Sequence, residues 1–257
     1  MKRFITLILT LLICFASLAQ MIRTEKVYKD MRYLEFMPKK WNGHVILFLH
    51  GLGERGSDIT LIEKLPIPKL FKSGFETEYI VIAPQLPTSI GSWGRNQIAI
   101  LKEVVDSYRG VPHITGLSLG GIGTLSALRY YPGYWKTAGV VCGKADATAD
   151  LSYIVPTRLR AWHGTADKTV TISSIRQIVP KVNELGGKAD LIEYFNVTHN
   201  AWDRAYSTTD PESYWAWMDQ VSGAKLPDMV VTQYVLNNIL YFITESGKRY
   251  QFPVQQN

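Results

Sequence analysis

Residues 111–128 constrain the fold more than any other stretch of the chain. An apolar run, Val111 to Ile114, leads through Thr115 into Gly116, Leu117, Ser118, Leu119 and Gly120, and good helix formers follow from Ile122 to Leu128. This is a strand, a G-x-S-x-G turn and a helix in immediate succession. A serine between two glycines in such a turn has its hydroxyl pushed clear of the backbone, because a Cβ on either glycine would meet the neighbouring strand or helix. The helix that begins behind the serine aims its N-terminal dipole at the place where negative charge would gather.

The same alternation runs along the rest of the chain. Val45–Leu49, Tyr79–Ala83, His113–Leu117, Ala138–Cys142, Leu159–Trp162 and Ala189–Phe195 are short apolar runs of the kind a sheet buries on both faces. Between them, Ile98–Tyr108, Gly120–Tyr131, Ser173–Leu185 and Ser213–Asp219 read as helices, with Pro180 expected to kink the third. Strand and helix in alternation predict an α/β domain: a mostly parallel sheet with helices on both faces. Lys26–Met37 reads as one or two edge strands, and Asp58–Gly74 as a short helix with a Pro-broken loop. Near the C-terminus, Tyr234–Thr244 and Tyr250–Val254 flank Glu245–Lys248 in the pattern of a small β-hairpin.

Length and composition fit one domain. The chain has 257 residues, 46% of them hydrophobic, with no second composition regime. Residues 1–19 stand apart: Lys2 and Arg3 precede an apolar run from Ile5 to Phe15, and Ser17, Leu18 and Ala19 offer small residues for cleavage. We read them as a secretory signal peptide, too short for a comfortable span, which places the protein in the periplasm or outside the cell. Residues 20–222 are then the catalytic domain and 223–257 a C-terminal extension. Cys142 is the one cysteine beyond the leader, so no internal disulfide is expected and Cys142 reads as a small core residue. The net charge of +6 is scattered rather than clustered, which argues against a nucleic-acid partner.

A serine hydroxyl becomes a useful nucleophile when a histidine takes its proton and a carboxylate fixes that histidine's tautomer. The chain has five histidines, so elimination narrows the choice. His44 and His113 lie at or within strands and read as structural; His50 and His163 end strands, each directly before a glycine. His199 follows the last strand and is the expected general base, since the strand–turn–helix context orders serine, acid and then histidine along the chain. Asp167, three residues past Gly164, is the expected acid, with Asp146 and Asp150 in reserve and Asp190 at the wrong end of its strand. Ser118, His50, Asp167 and His199 all follow strands and so share one rim of the sheet. The oxyanion hole would use the amide of Leu119, next to the nucleophile, and an amide of the His50–Gly53 loop, Leu52 first.

With these residues in place the chain resembles the α/β-hydrolases. More narrowly, His50-Gly51-Leu52-Gly53-Glu54-Arg55-Gly56, Ala83-Pro84-Gln85, Gly116–Gly121, His163–Asp167 and His199 resemble secreted bacterial esterases related to feruloyl, acetyl-xylan and polyhydroxybutyrate-type esterases. Leu119 stands where methionine is commoner and Leu52 where alanine is commoner, and neither change removes a backbone donor. The resemblance implies an α/β-hydrolase fold and a serine carboxylesterase working through an acyl-enzyme on short acyl or aryl esters, plant polysaccharide among their carriers. It implies a small-molecule or polymer-linked substrate. The sequence has no His-Glu-x-x-His or Cys/His cluster with ligand spacing, so no metal or organic cofactor is expected. The short leader predicts no stable membrane insertion, while the oligomeric state stays open. About fifteen residues separate the run ending at Cys142 from the next, too few for a large cap domain. Trp93, on a predicted rim loop, and Trp202, just past His199, are candidate substrate contacts, with core packing as the equal alternative; Trp215 and Trp217 read as core. Glu54 and Arg55 would brace the oxyanion loop. A prolyl-oligopeptidase-like peptidase and a non-catalytic glycan- or partner-binding hydrolase fold are the rival functions.

Overall fold

The computed structural model describes residues 21–222, 230–236, 239–244 and 249–253. The leader reading of residues 1–19 lies outside them. Eight strands form one sheet: β1 (Ile22–Tyr28), β2 (Met31–Met37), β3 (His44–Leu49), β4 (Ile80–Gln85), β5 (Val111–Leu117), β6 (Thr137–Val141), β7 (Arg158–Gly164) and β8 (Lys188–Tyr194). Their spatial order is β1-β2-β4-β3-β5-β6-β7-β8. Pairing is antiparallel from β1 through β2 to β4 and parallel from β4 to β8.

The chain therefore steps from β3 to β4 on one side and crosses to β5 on the other. Direction reverses beside β3, and the crevice outside the carboxyl ends of β3 and β5 is the place where such sheets bind ligands. Strand alternation divides the core in two. Val45, Leu47 and Leu49 of β3 pack with Ile98 and Leu101 of α2 (Arg95–Asp106), Leu125 and Leu128 of α3 (Leu119–Tyr130), and Ile175 and Ile178 of α4 (Ser173–Glu184). Ile46 and Phe48 face the other way, onto Ile67 and Phe71 of α1 (Pro66–Lys72), Ala205 of α5 (Trp202–Ala205), and Trp217 and Met218 of α6 (Tyr214–Ser222). Trp215 and Trp217 are buried there, as the sequence led us to expect. No helix among the described residues is long and apolar enough to cross a membrane.

Several expectations change in detail. Lys26–Met37 is a hairpin whose two-residue turn, Lys29 and Asp30, has positive φ at both positions, the geometry that matches strand twist. Of these two strands β1 alone lies at the sheet edge; β2 is paired on both sides, and its burial shows it. In 58–74 the prolines begin a helix instead of breaking a loop. Asp58 caps a 3-10 turn, Ile59–Lys64, and Pro66 opens α1, where its missing N–H costs nothing. Helix α4 runs through Pro180 on its exposed face, so the carbonyl that proline leaves unpaired can meet water. The C-terminal hairpin is part of a three-stranded antiparallel sheet, because the predicted strand 234–244 divides into β9 (Val230–Leu236) and β10 (Ile239–Thr244) before β11 (Arg249–Pro253).

At the amino end of β3 and β5, His44 Nδ1 lies 2.8 Å from His113 Nε2, and His113 Nδ1 lies 2.8 Å from Thr137 Oγ1. Burial pushes both histidines below their ordinary value, and the positive charge of Lys136 pushes the same way. Burial also lowers His50, beyond the end of β3, to about 4. In an unfolded chain each would take up a proton near pH 6.5, so below that pH the unfolded state binds more protons and stability falls. The contribution is complete above about pH 6.5; His50, with its pKa near 4, should cost about 2 kcal/mol of stability between pH 7 and 5, and His113, pushed down by burial, acts in the same direction. Urea unfolding at the two pH values should show the midpoint dropping at pH 5; equal midpoints would contradict neutral burial of these rings.

Candidate active site

Ser118 links β5 to α3 with φ 54° and ψ −116°, left-handed backbone that a non-glycine residue rarely adopts. The conformation is held from both sides. The Ser118 amide donates to Val141 O at 2.9 Å, and its carbonyl accepts from Ile122 N–H at 3.0 Å. The glycines flanking the serine explain how the turn is possible: a Cβ on Gly120 would lie 1.9 Å from Leu49 O, and one on Gly116 would lie 2.5 Å from the Gly120 backbone. Only bare backbone lets α3 start this close to β3.

The turn points Ser118 Oγ at His199, 2.9 Å from Nε2. His199 Nδ1 lies 2.7 Å from Asp167 Oδ2. The other carboxylate oxygen, Oδ1, accepts the amides of Thr169 and Val170 at 2.9 and 3.0 Å. Burial pushes the Asp167 carboxyl up, but the bonds from His199, Val170 and Thr169 outweigh it and hold the group below the ordinary carboxylate value. An ionised Asp167 can only accept, so the His199 proton sits on Nδ1 and the Nε2 lone pair faces the serine hydroxyl. This arrangement can draw a proton from Ser118. The structure brings Ser118, His199 and Asp167 together and leaves the reserve acids elsewhere. Asp146 and Asp150 accept the amides of Thr148 and Ser152 in turns, and Asp190 pairs with Arg160.

The loop carrying His199 is seated on β7 by its own backbone. Ala166 N–H donates to Val197 O at 3.0 Å, and Thr165 N–H to Tyr194 O at 3.0 Å. Gly164 permits the approach, since a Cβ there would lie 2.2 Å from Val197 O. Cys142 is buried as expected, and it does more than fill space: its Sγ donates to His199 O at 3.1 Å. Burial raises its thiol to about 12. Among the described residues, Cys142, His163 and Asp167 have ligand-type atoms within 4.8 Å of one another. The Cys142 thiol is spent on His199 O and the Asp167 carboxylate on His199, Thr169 and Val170, so these contacts make the cluster a scaffold beneath the histidine.

Leu119 opens α3, where the first amides have no acceptor within the helix. Leu52 follows Gly51, whose Cβ, if present, would lie 3.7 Å from Ser118 Cβ, so the loop after β3 adjoins the serine. Arg55 braces that loop by donating to Leu52 O at 3.2 Å and to Ile90 O at 3.1 Å. Burial raises the pKa of the Glu54 carboxyl, and the nearby backbone of Glu54 and Gly51 offsets it only in part. Beneath the loop His50 is fully buried: Nε2 accepts the Leu86 amide at 3.0 Å and Nδ1–H donates to Gly51 O at 2.6 Å.

Trp93 corrects the sequence expectation. It does not stand exposed on the rim; it is 2% exposed, stacked edge-on to His50 with centroids 5.0 Å apart, and its Nε1–H donates to His50 O at 3.1 Å. An indole against the backbone of an oxyanion-type loop is a brace, and the packing alternative holds. Trp202 stays at the site, half-buried, with its ring edge-on to His199 at 5.3 Å. Residues 142–157, between β6 and β7, hold only a 3-10 turn, Ser152–Ile154. Sequence reasoning missed the supporting roles of His50, Trp93, Cys142 and His163, because none follows from a motif spacing.

No family model matches the chain, and no curated protein matches it in sequence. Its structure is similar to that of a thermostable esterase, with TM-score 0.61 and 24% identity over 78% of this chain and 63% of that one. Esterase PE8 gives a TM-score of 0.54 at 17% identity over 70% of this chain and 93% of that one. Esterase 2 of Thermogutta terrifontis, phosphorylated by paraoxon, gives 0.54 at 16% identity over 77% and 91%. The chain has the α/β-hydrolase fold, mostly parallel and without a large cap among the described residues.

Replacing Trp93 with phenylalanine keeps most of the ring volume but leaves His50 O without its donor. Thermal or urea unfolding should show a loss of about 1–3 kcal/mol, and unchanged stability would contradict the bracing role.

Proposed function

We propose that this chain is a serine carboxylesterase that works through an acyl-enzyme. The observation that carries the reading is the continuous relay from Ser118 Oγ through His199 to Asp167, at 2.9 and 2.7 Å, on a strained turn at a helix N-terminus. As the Ser118 oxygen bonds to the ester carbonyl carbon, its proton passes to His199 Nε2. Asp167 stabilises the imidazolium so formed. The carbonyl electrons collect on oxygen, where the Leu119 and Leu52 amides donate to it. Collapse expels the alcohol, which takes the proton from His199. Water then gives a proton to His199, attacks the acyl carbon and releases the acid, and the proton returns to Ser118.

The esterase names of the structural neighbours, and the phosphorylation of one of them by an organophosphate, support this choice of reaction class. Short acyl or aryl esters suit a site with no large cap over it, and Trp202 beside His199 offers an aromatic edge to an aryl group. A polymer-linked ester could also approach, and the narrower kinship with secreted feruloyl, acetyl-xylan and polyhydroxybutyrate-type esterases rests on the His50–Gly56 loop. The leader pattern in residues 1–19 would put this activity in the periplasm or outside the cell.

Initial rates on p-nitrophenyl acetate, butyrate and octanoate and on methyl ferulate test the proposal. Hydrolysis of at least one ester is expected, with the acetate favoured over the octanoate. Ser118→Ala should lower kcat by about 10³-fold or more. A wild-type protein inactive on all four, or a variant that keeps its activity, would overturn the assignment.

A further inference from the structure

We propose that His163 is a positioning residue: a second histidine, behind the first, that holds the carboxylate of Asp167 for His199. The inference rests on the serine–histidine–aspartate reading above and deepens it. His163 Nε2 lies 2.7 Å from Val170 O and 3.2 Å from Asp167 Oδ2. A carbonyl oxygen only accepts, so Nε2 carries the proton, donates it to Val170 O and brings its positive edge within 3.2 Å of Asp167 Oδ2. Oδ2 of Asp167 is thus flanked by His199 Nδ1 on one side and His163 Nε2 on the other. With Oδ1 fixed by the Thr169 and Val170 amides, the carboxylate cannot rotate away from His199.

The tautomer has a consequence at the other nitrogen. Nδ1 of His163 is buried and has no hydrogen-bond partner among the described residues. An unpaired buried nitrogen is unfavourable, and a residue kept only to fill that space would be better apolar. What the imidazole supplies is the Nε2–H. Asp167, Cys142, His199 and Glu193 are the titratable groups around the ring. Burial lowers the basicity of His163, the largest influence on it, so it stays a neutral donor. A neutral donor steadies Asp167 without placing a full positive charge in competition with His199. It also draws some charge from Oδ2, which moderates the pull of Asp167 on the proton of His199.

Three variants separate positioning from packing. His163→Phe keeps a ring and removes the donor. His163→Asn keeps polarity, but its amide ends near the position of Nδ1, so it serves if the phenylalanine variant does not fold. His163→Gln can place an amide N–H near the position of Nε2. On p-nitrophenyl acetate the Phe or Asn variant should lose about tenfold in kcat with KM nearly unchanged. The acid limb of kcat/KM should move up by about half a pH unit, as Asp167 regains undivided charge. The downfield proton NMR resonance of the N–H between His199 and Asp167 should shift in the same variants. Gln should return all three toward wild type.

A variant that loses only thermal stability, with kcat, acid limb and resonance unmoved, would overturn the proposal. Equal behaviour of Asn and Gln would also overturn it. The resonance needs no substrate. If the wild type hydrolyses no ester while the resonance responds as described, the esterase reading fails and the positioning role stands.

Discussion

The approach of α3 to β3 is the constraint on which the rest of the site depends. Gly120 sits so close to Leu49 O that no side chain fits, and Gly116 faces the same backbone from β5. The chain therefore leaves β5 through a turn at Ser118 whose positive φ costs of order 1–3 kcal/mol. Bonds from the Ser118 amide to β6 and from its carbonyl to α3 hold that conformation. Strain here is stored where the fold over-determines it, in the middle of a sheet buried on both faces. A nucleophile fixed this way needs no reorganisation to meet its base.

Around that turn lies a supporting layer built from buried polar groups. On one side His50 ties the end of β3 to the start of the segment after β4 and is in turn held by Trp93, so the loop with Leu52 is braced from beneath. On the other side Cys142 holds the carbonyl of His199 while Thr169, Val170 and His163 surround Asp167. The groups that face solvent are few; those that fix them lie in the core. That division explains why rim residues on different strands keep hydrogen-bonding distance of one another.

Much of this was legible in the sequence, for particular reasons. Continuous apolar runs alternating with helical periods can only pack as a sheet covered on both sides, and the strand-end rule then placed Ser118, Asp167 and His199 on one rim before any distance was known. The supporting layer was not legible. Trp93 sits in a Gly- and Ser-containing segment that reads as a rim loop, and its burial depends on packing against His50 and against α3 at Gly123, a tertiary fact. Pro66 and Pro68 read as breakers because propensity cannot tell a helix start from a loop. His163 read as a marker for Asp167, since the partner of its Nε2 is fixed by the fold of the 165–170 turn and by no spacing in the chain.

The account's central claim is that the turn presents an activated serine to His199. Treating the protein with a fluorophosphonate and mapping the modified peptide tests it without reference to any natural substrate. One adduct on the peptide containing Ser118, formed far more slowly when His199 is replaced by glutamine, is the predicted result. An unmodified protein, an adduct on another residue, or labelling indifferent to His199 would contradict it.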